Sequence, residues 1–241
     1  MAFSYTGLAY FFLSISLVFL SYRIFKYWKQ KNDPTSKYFF YFCLSLLALT
    51  SVRAVSGLFF AQNIPVLVVS LLLVSFIEGI MAGIVAYFTI YIYLKITKVL
   101  PWVGFMVFLG LGLLTTFLTY LTIPDREFIL DESGALNLNY NLDNFWYAAT
   151  RTGLFALSFI PLIVIFLRQS FILREIRART RAIGLTLVLF LGFFIGSLDF
   201  VFLELLKLET IIRDIMIGAL SILMFFVVYF TQKPNPEANV R

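Results

Sequence analysis

The chain has 241 residues, of which 61% are apolar and 13% charged, and its mean hydropathy is +0.93. A soluble domain averages about 45–50% apolar and about 25% charged residues, so this chain has too few charges to cover a water-exposed surface. It has no histidine and one cysteine, Cys43, which excludes His-based triads, His metal sites, intrachain disulfides and Cys-rich zinc sites. The composition predicts an integral membrane protein, with no metal and no cofactor expected.

Seven stretches are long and apolar enough to cross a bilayer, which takes about 20 residues. They lie at about 4–25, 38–61, 66–94, 99–123, 145–167, 182–205 and 211–231. The first stretch has no basic region before it and no small-residue cleavage site after it, so we interpret it as a span and not as a signal peptide. The sequence thus predicts an all-α fold, a seven-helix transmembrane bundle over residues 1–231 that forms one domain.

The net charge of +6 is distributed unevenly over the connections. One side collects fourteen of the 19 basic residues: Arg23, Lys26, Lys29, Lys31, Lys37, Lys95, Lys98, Arg168, Arg174, Arg177, Arg179, Arg181, Lys233 and Arg241. The other side has Arg126 and Lys207, with five acidic residues in the 124–144 loop. By the positive-inside rule the N-terminus is outside and the C-terminus cytoplasmic, with a flexible tail at 232–241. We expect a multi-pass protein of a bacterial inner membrane, whose partner is the lipid bilayer and not nucleic acid.

The outer loop at 124–144 has a strand-turn-strand pattern. Glu127–Leu130 and the segment 135–140 are apolar-rich runs, and Asp131, Glu132, Ser133 and Gly134 lie between them. This order is typical of a small hairpin. The alternative is an irregular loop held to the bundle by Leu136 and Tyr140.

Ionisable side chains inside a membrane are costly, so each one is a candidate site residue. Those that lie in or near spans, away from the cytoplasmic side, are Arg53, Glu78, Arg151, Asp199, Glu204, Arg213 and Asp214. Small or hydroxyl side chains share their helix faces in spans two, three, six and seven, which permits close helix contact. We expect these faces to point to a common interior in the outer half of the bundle.

Three interpretations of these charges remain open. They form a structural network, in which Arg53 pairs with Glu78, and Arg151 or Arg213 pairs with Asp199 or Asp214. Alternatively, they line an outward-open cavity for a small ligand or lipid, or they belong to a proton or ion path. An aspartic protease using Asp199 and Asp214 ranks below these. No nucleophile with a base and no metal cluster is recognisable, so we expect no enzyme.

A basic, partly amphipathic segment precedes the sixth span. It contains Arg168, Arg174, Arg177, Arg179 and Arg181, and Glu175 is spaced to pair with Arg179 on a helix. Its cations either bind anionic lipid headgroups and anchor the orientation, or form a docking site for a cytoplasmic partner.

Two stretches carry a resemblance: the run Asn144-Phe145-Trp146-Tyr147 that leads into span five, and 168–185 around the basic segment. With seven spans and an outside N-terminus, the chain resembles the seven-helix N-terminal membrane region of some bacterial histidine kinases. The resemblance implies a sensor, and because the chain ends about ten residues after span seven, output is expected through a partner in trans. The leading interpretation is a receptor-like sensor or accessory subunit with an Arg53–Glu78 pair at the centre of its cavity. The alternative is a small transporter or ion-conducting protein.

Overall fold

The computed structural model describes residues 4–96, 99–125, 127–130, 132, 134–140, 145–200 and 209–232. Within these ranges the chain forms seven long helices: α1 Tyr5–Lys31, α2 Pro34–Phe59, α3 Ile64–Phe88, α4 Leu100–Leu121, α5 Phe145–Ile172, α6 Ile176–Phe200 and α7 Thr210–Thr231. Each contains a segment long and apolar enough to span a membrane. The predicted all-α seven-helix fold is confirmed.

The helix boundaries follow from capping residues in the sequence. The Ser4 hydroxyl accepts a hydrogen bond from the amide of Gly7 at 3.0 Å, and the Asp33 carboxylate accepts one from the amide of Ser36 at 2.9 Å. α1 continues six residues beyond the predicted span and ends at Asn32, whose φ of 48° is left-handed. It continues because lysine, arginine and glutamine are good helix formers that lie comfortably outside the hydrocarbon.

The basic segment at 168–181 is mostly helical. α5 extends to Ile172 and α6 begins at Ile176, so the connection between them is the three residues 173–175. α5 ends five residues after its predicted apolar stretch, and α6 begins six residues before its own. As in α1, the added residues include basic side chains that favour helix outside the hydrocarbon. Arg168, Arg177, Arg179 and Arg181 therefore lie on the two helices, and Arg174 lies in the connection between them.

Six of the helices form a closed ring in the order α1, α2, α3, α5, α6, α7 and back to α1. α4 lies outside this ring and packs mainly on α3, where Gly79 and Gly112 meet so closely that a Cβ on Gly79 would be 2.5 Å from the Cα of Gly112. Many large apolar side chains of the bundle are exposed, and on α4 they include Trp102, Met106 and Phe117. Such a surface fits lipid contact, as a multi-pass integral membrane protein requires.

The outer loop forms the expected hairpin. Strands β1 (Glu127–Leu130) and β2 (Leu136–Tyr140) are antiparallel, and Leu130 pairs with Leu136. Leu136 is buried against Leu67 and Leu71 of α3. The carbonyl of Gly134 accepts a hydrogen bond of 2.9 Å from the amide of Tyr5, so the hairpin lies across the end of the bundle between α1 and α3. We call this the outer end.

Candidate functional site

A central cavity of about 80 Å³ lies inside the six-helix ring. Side chains from α1, α2, α3, α5, α6 and α7 line it, and none of its described lining residues comes from α4. On α2 the lining runs from Arg53 to Phe39, fourteen residues apart, which is about 21 Å along the helix axis. Since one water needs roughly 10–15 Å³ on this measure, the cavity is long and narrow.

Charged side chains gather in the outer part of the cavity. Arg53, Glu78 and Arg151 line it together with Thr50 and Thr152. Arg53 is 7% exposed and Glu78 is 4% exposed, so both charges are largely removed from water. Three of the candidate site residues named from the sequence therefore line one cavity.

Glu78 forms an ion pair with Arg151. The Nη2 of Arg151 donates to Oε1 of Glu78 at 2.9 Å, and its Nε lies 3.3 Å and 3.2 Å from the two carboxylate oxygens. The predicted pair between Arg53 and Glu78 is therefore wrong. α3 contacts both α2 and α5 in the ring, and the sequence does not show which neighbour supplies the cation.

The side chain of Arg53 forms no hydrogen bond and no ion pair with any residue that the structure describes. The Thr50 hydroxyl, one turn earlier on α2, is engaged with the Ser14 hydroxyl at 3.0 Å. The Ser56 hydroxyl donates to the backbone carbonyl of Arg53 and not to its side chain. A buried charge without a partner is costly, so the guanidinium of Arg53 needs water or an anion from the cavity that it lines.

The inner part of the cavity is apolar. Its lining residues from the described chain are Leu17, Leu20, Phe39, Phe42, Cys43, Leu46, Phe159, Val188 and Met224. The rings of Phe42 and Phe159 meet edge-on at 5.4 Å. No carboxylate, lysine or arginine side chain lies among these inner residues, so the cavity has one charged end and one largely apolar end.

Arg213 and Asp214 belong to a separate network at the outer end and not to the cavity. Arg213 donates to Oδ1 of Asp214 at 2.9 Å from Nε and 2.7 Å from Nη2, which is one of the pairings that the sequence left open. Oδ2 of Asp214 accepts from the Thr6 hydroxyl at 2.6 Å, and Oγ1 of Thr6 accepts from the amide of Leu136 at 2.8 Å. The network joins α1, α7 and β2, so its role is to fix the hairpin to the bundle.

Two predicted site residues cannot be placed. The backbone of Asp199 lies in α6, one turn after Ile195 of the cavity lining, and its side chain is outside the described residues. Glu204 lies in the undescribed range 201–208. The glycines expected on the interior face of α6 do line the cavity: the ring of Phe155 occupies the position where a Cβ on Gly196 would be.

The basic residues of the segment 168–181, where α5 and α6 are connected, divide into two groups. Arg168 donates a hydrogen bond to the hydroxyl of Tyr93, which ends the π-helical turn Thr89–Tyr93 after α3, and the guanidinium of Arg181 lies 5.5 Å from the ring centroid of Tyr27. Arg174, Arg177 and Arg179 have exposed side chains. These exposed side chains are the part of the basic segment that headgroups or another protein can reach.

Sequence reasoning missed Thr6 and the phenylalanines of the inner cavity. A signal for Thr6 was present, because Thr6, Tyr10 and Ser14 recur at four-residue spacing and so share one face of α1. All three side chains are buried. No comparable signal separates Phe42 or Phe159 from the other 27 phenylalanines of the chain.

No protein-family model, curated protein or solved structure matches this chain. We therefore infer function from the cavity and its side chains.

Proposed function

We propose that the chain is a non-enzymatic, receptor-like membrane sensor or accessory subunit that binds a small ligand or lipid in the central cavity. The main support for this proposal is Arg53, a buried cation that lines the cavity and has no partner for its side chain among the described residues. Ligand binding in the cavity would change how the basic ends of α5 and α6 contact a partner protein on the cytoplasmic side.

The contrast with the other buried charges favours binding over a purely structural role. Glu78 is paired with Arg151, and Asp214 with Arg213, as side chains that stabilise the fold should be. Arg53 adds a desolvation cost with no such compensation. Sites that bind a ligand commonly carry groups that are unfavourable until the ligand arrives.

α5 provides a physical connection from the cavity to the cytoplasmic side. Arg151, Phe155 and Phe159 line the cavity, and Arg168 lies further along the same helix. Between them, Pro161 removes one helical hydrogen bond, which is where a helix bends most easily. The connection to α6 is only three residues long, so movement of α5 would displace Arg174 and the start of α6. The resemblance to the membrane region of histidine kinases agrees with such a role.

The apolar inner part of the cavity does not favour the transporter alternative. A path for an ion needs polar groups through the cytoplasmic half, and the described lining residues there are hydrocarbon or aromatic.

Site-specific labelling combined with a thermal-shift screen tests the proposal. Thr152 lines the cavity and is half-buried, so a Thr152→Cys/Cys43→Ser variant places the only thiol in the outer part of the cavity. The matched control is Thr116→Cys/Cys43→Ser, which places the thiol at a half-buried position on α4, outside the ring.

We expect at least one compound or lipid to raise the melting temperature of the full chain in nanodiscs and to slow methanethiosulfonate labelling at position 152 but not at 116. A screen in which no compound does both contradicts the proposal. So does a compound that stabilises the protein while leaving labelling at position 152 unchanged, because it binds elsewhere.

A further inference from the structure

We infer that the outer part of the cavity binds one small monovalent anion, of the size of chloride or acetate, on the guanidinium of Arg53. This inference rests on the proposed function and specifies the chemistry of the ligand. Three observations support it: the net charge of the lining, the volume of the free space and the position of that space in the bundle.

The charged side chains of the lining lack one negative charge. Among the described residues that line the cavity, Arg53 and Arg151 are cations and Glu78 is the only carboxylate. Arg151 donates to both oxygens of Glu78 at 2.9 to 3.3 Å, so this pair is neutral as a unit. Water can bond to the N–H groups of Arg53 but cannot neutralise its charge, whereas a monovalent anion does both. A divalent anion would replace the unpaired positive charge by an unpaired negative one.

The guanidinium of Arg53 is ready to bind such an anion. None of its N–H groups bonds to a residue that the structure describes. A guanidinium holds its donors in one plane, and two of them match the oxygens of a carboxylate. Because Arg53 is 7% exposed, hydrogen bonds to the anion would form where little water weakens them.

The free space has the size of a small anion. Its volume is about 80 Å³. One water takes roughly 10–15 Å³ on this measure, so the space holds about five to eight water-sized groups. A chloride with a few waters or an acetate fits within it, and a lipid does not.

The free space lies in the outer part of the cavity, where Arg53 is. The inner lining is closely packed, since Leu17, Phe159 and Met224 are each at most 1% exposed. The half-buried lining residues of α5 and α6 are Arg151, Thr152, Phe155, Gly192, Gly196 and Ser197. The accessible surface inside the ring is therefore concentrated near the charged end and not at the apolar end.

Anion titrations of the full chain in phosphatidylcholine nanodiscs test the inference. All salts have the same cation and ionic strength, and gluconate is the reference because it is monovalent but too large for the cavity. The probes are chloride, acetate, sulfate and octanoate. The readouts are the melting temperature and the equilibrium binding of radiolabelled chloride and acetate.

The variants are Arg53→Leu, Arg53→Lys and the control Arg174→Leu, which removes the same charge from the exposed connection between α5 and α6. We expect chloride, acetate or both to bind at a single site and to raise the melting temperature of the wild type above its value in gluconate. Tighter binding of acetate would identify the ligand as a short carboxylate, and tighter binding of chloride as a halide; both results support the inference.

The variants and the larger anions should show the basis of binding. Arg53→Leu should weaken binding of the small anion by about 10–100-fold, the loss expected for hydrogen bonds to a charged group. Arg53→Lys should recover part of the affinity because it keeps the charge, and Arg174→Leu should bind as the wild type does. Sulfate should bind at least about tenfold more weakly than the small anion, because it leaves a buried negative charge unpaired.

Several results would overturn the inference and leave the proposed function standing. Sulfate binding as tightly as chloride and acetate would remove the preference for one charge. Octanoate binding more tightly than acetate, in a manner that depends on Arg53, would remove the size limit. Equal affinities in the wild type and Arg53→Leu would place the anion elsewhere. Strong coupling between Arg53→Leu and Asp199→Asn in a double-mutant cycle would give Arg53 a protein partner and overturn the inference as well.

The failure of the inference can be told apart from the failure of the proposed function. If neither chloride nor acetate binds while a screened compound protects the thiol at position 152, only the inference is wrong. If no anion binds and no screened compound protects position 152, the cavity is not a binding site and both are wrong.

Discussion

Arg151 of α5 and Glu78 of α3 form an ion pair in the outer half of the bundle, with Nη2 2.9 Å from Oε1. The exposed fractions of these side chains are 16% and 5%, so the pair is largely shielded from water. Arg53, the other cation that lines the cavity, forms no ion pair with Glu78. Because Glu78 pairs with Arg151, the charge of Arg53 has no partner among the described residues that line the cavity.

The Glu78–Arg151 pair should be strongly coupled. Glu78→Ala leaves a buried guanidinium without its carboxylate, and we expect a loss of about 3–5 kcal/mol in the free energy of unfolding. The double variant with Arg151→Ala should recover a coupling energy of about 0.5–3 kcal/mol, measured by thermal or denaturant unfolding. The cycle of Glu78→Ala with Arg53→Ala is the control. Equal coupling in the two cycles would mean that Glu78 does not distinguish the two arginines.

At the crossing of α3 and α4, Gly79 and Gly112 should not tolerate replacement by a larger residue. A Cβ on Gly112 would overlap the backbone of Gly79, whereas a Cβ on Gly110, two residues earlier on α4, meets nothing within 4 Å. We expect Gly112→Ala to lower the melting temperature and to loosen α4. Gly110→Ala should be neutral or stabilise the helix by up to about 1 kcal/mol, because alanine is the better helix former. Equal effects of the two substitutions would contradict this packing.

The Thr6 hydroxyl should control the attachment of the hairpin. It donates to Asp214 and accepts from the amide of Leu136, so Thr6→Val leaves both groups without this partner at a cost of about 1–3 kcal/mol. Hydrogen exchange of the Leu136 amide should accelerate. The control is Thr116→Val, which removes a hydroxyl that bonds to the backbone of its own helix. Unchanged protection of Leu136 in Thr6→Val would show that the hairpin is held by apolar contacts alone.

Pro161 should make α5 easier to bend. Pro161→Ala restores one helical hydrogen bond, so we expect slower hydrogen exchange over residues 158–165 and a higher melting temperature. Pro101, in the first turn of α4, occupies a position where proline fits a helix, and Pro101→Ala should bring no such gain. If exchange in α5 is the same with proline and alanine, the proline is not a flexible point.

The fold could be predicted from the sequence because spans and hairpins follow from local patterns. Seven apolar runs give seven helices, and the strand-turn-strand pattern around Gly134 gives the hairpin. Helix ends could not be predicted from hydropathy alone, since α1 and α5 continue into basic residues outside the apolar runs. The capping residues Ser4 and Asp33 mark the true beginnings of α1 and α2.

The partners in the site could not be predicted in the same way. That Arg53, Glu78 and Arg151 share an outer-half interior followed from their depth along the helices. Which arginine binds Glu78 depends on the order of helices in the ring, with α4 outside it, and no local pattern encodes that order. For the same reason the sequence left open whether Arg213 and Asp214 line the cavity or form an ion-pair network, and in the structure they join α7 to α1 and β2.

The most direct test of the central claim is the melting temperature of delipidated, ligand-free protein carrying Arg53→Leu, beside the wild type and Arg151→Leu. An unpaired buried cation destabilises the empty protein, so Arg53→Leu should raise the melting temperature, by the equivalent of about 1–3 kcal/mol, while Arg151→Leu lowers it. If Arg53→Leu lowers the melting temperature as much as Arg151→Leu does, Arg53 has a structural partner and the cavity does not hold a cation reserved for a ligand.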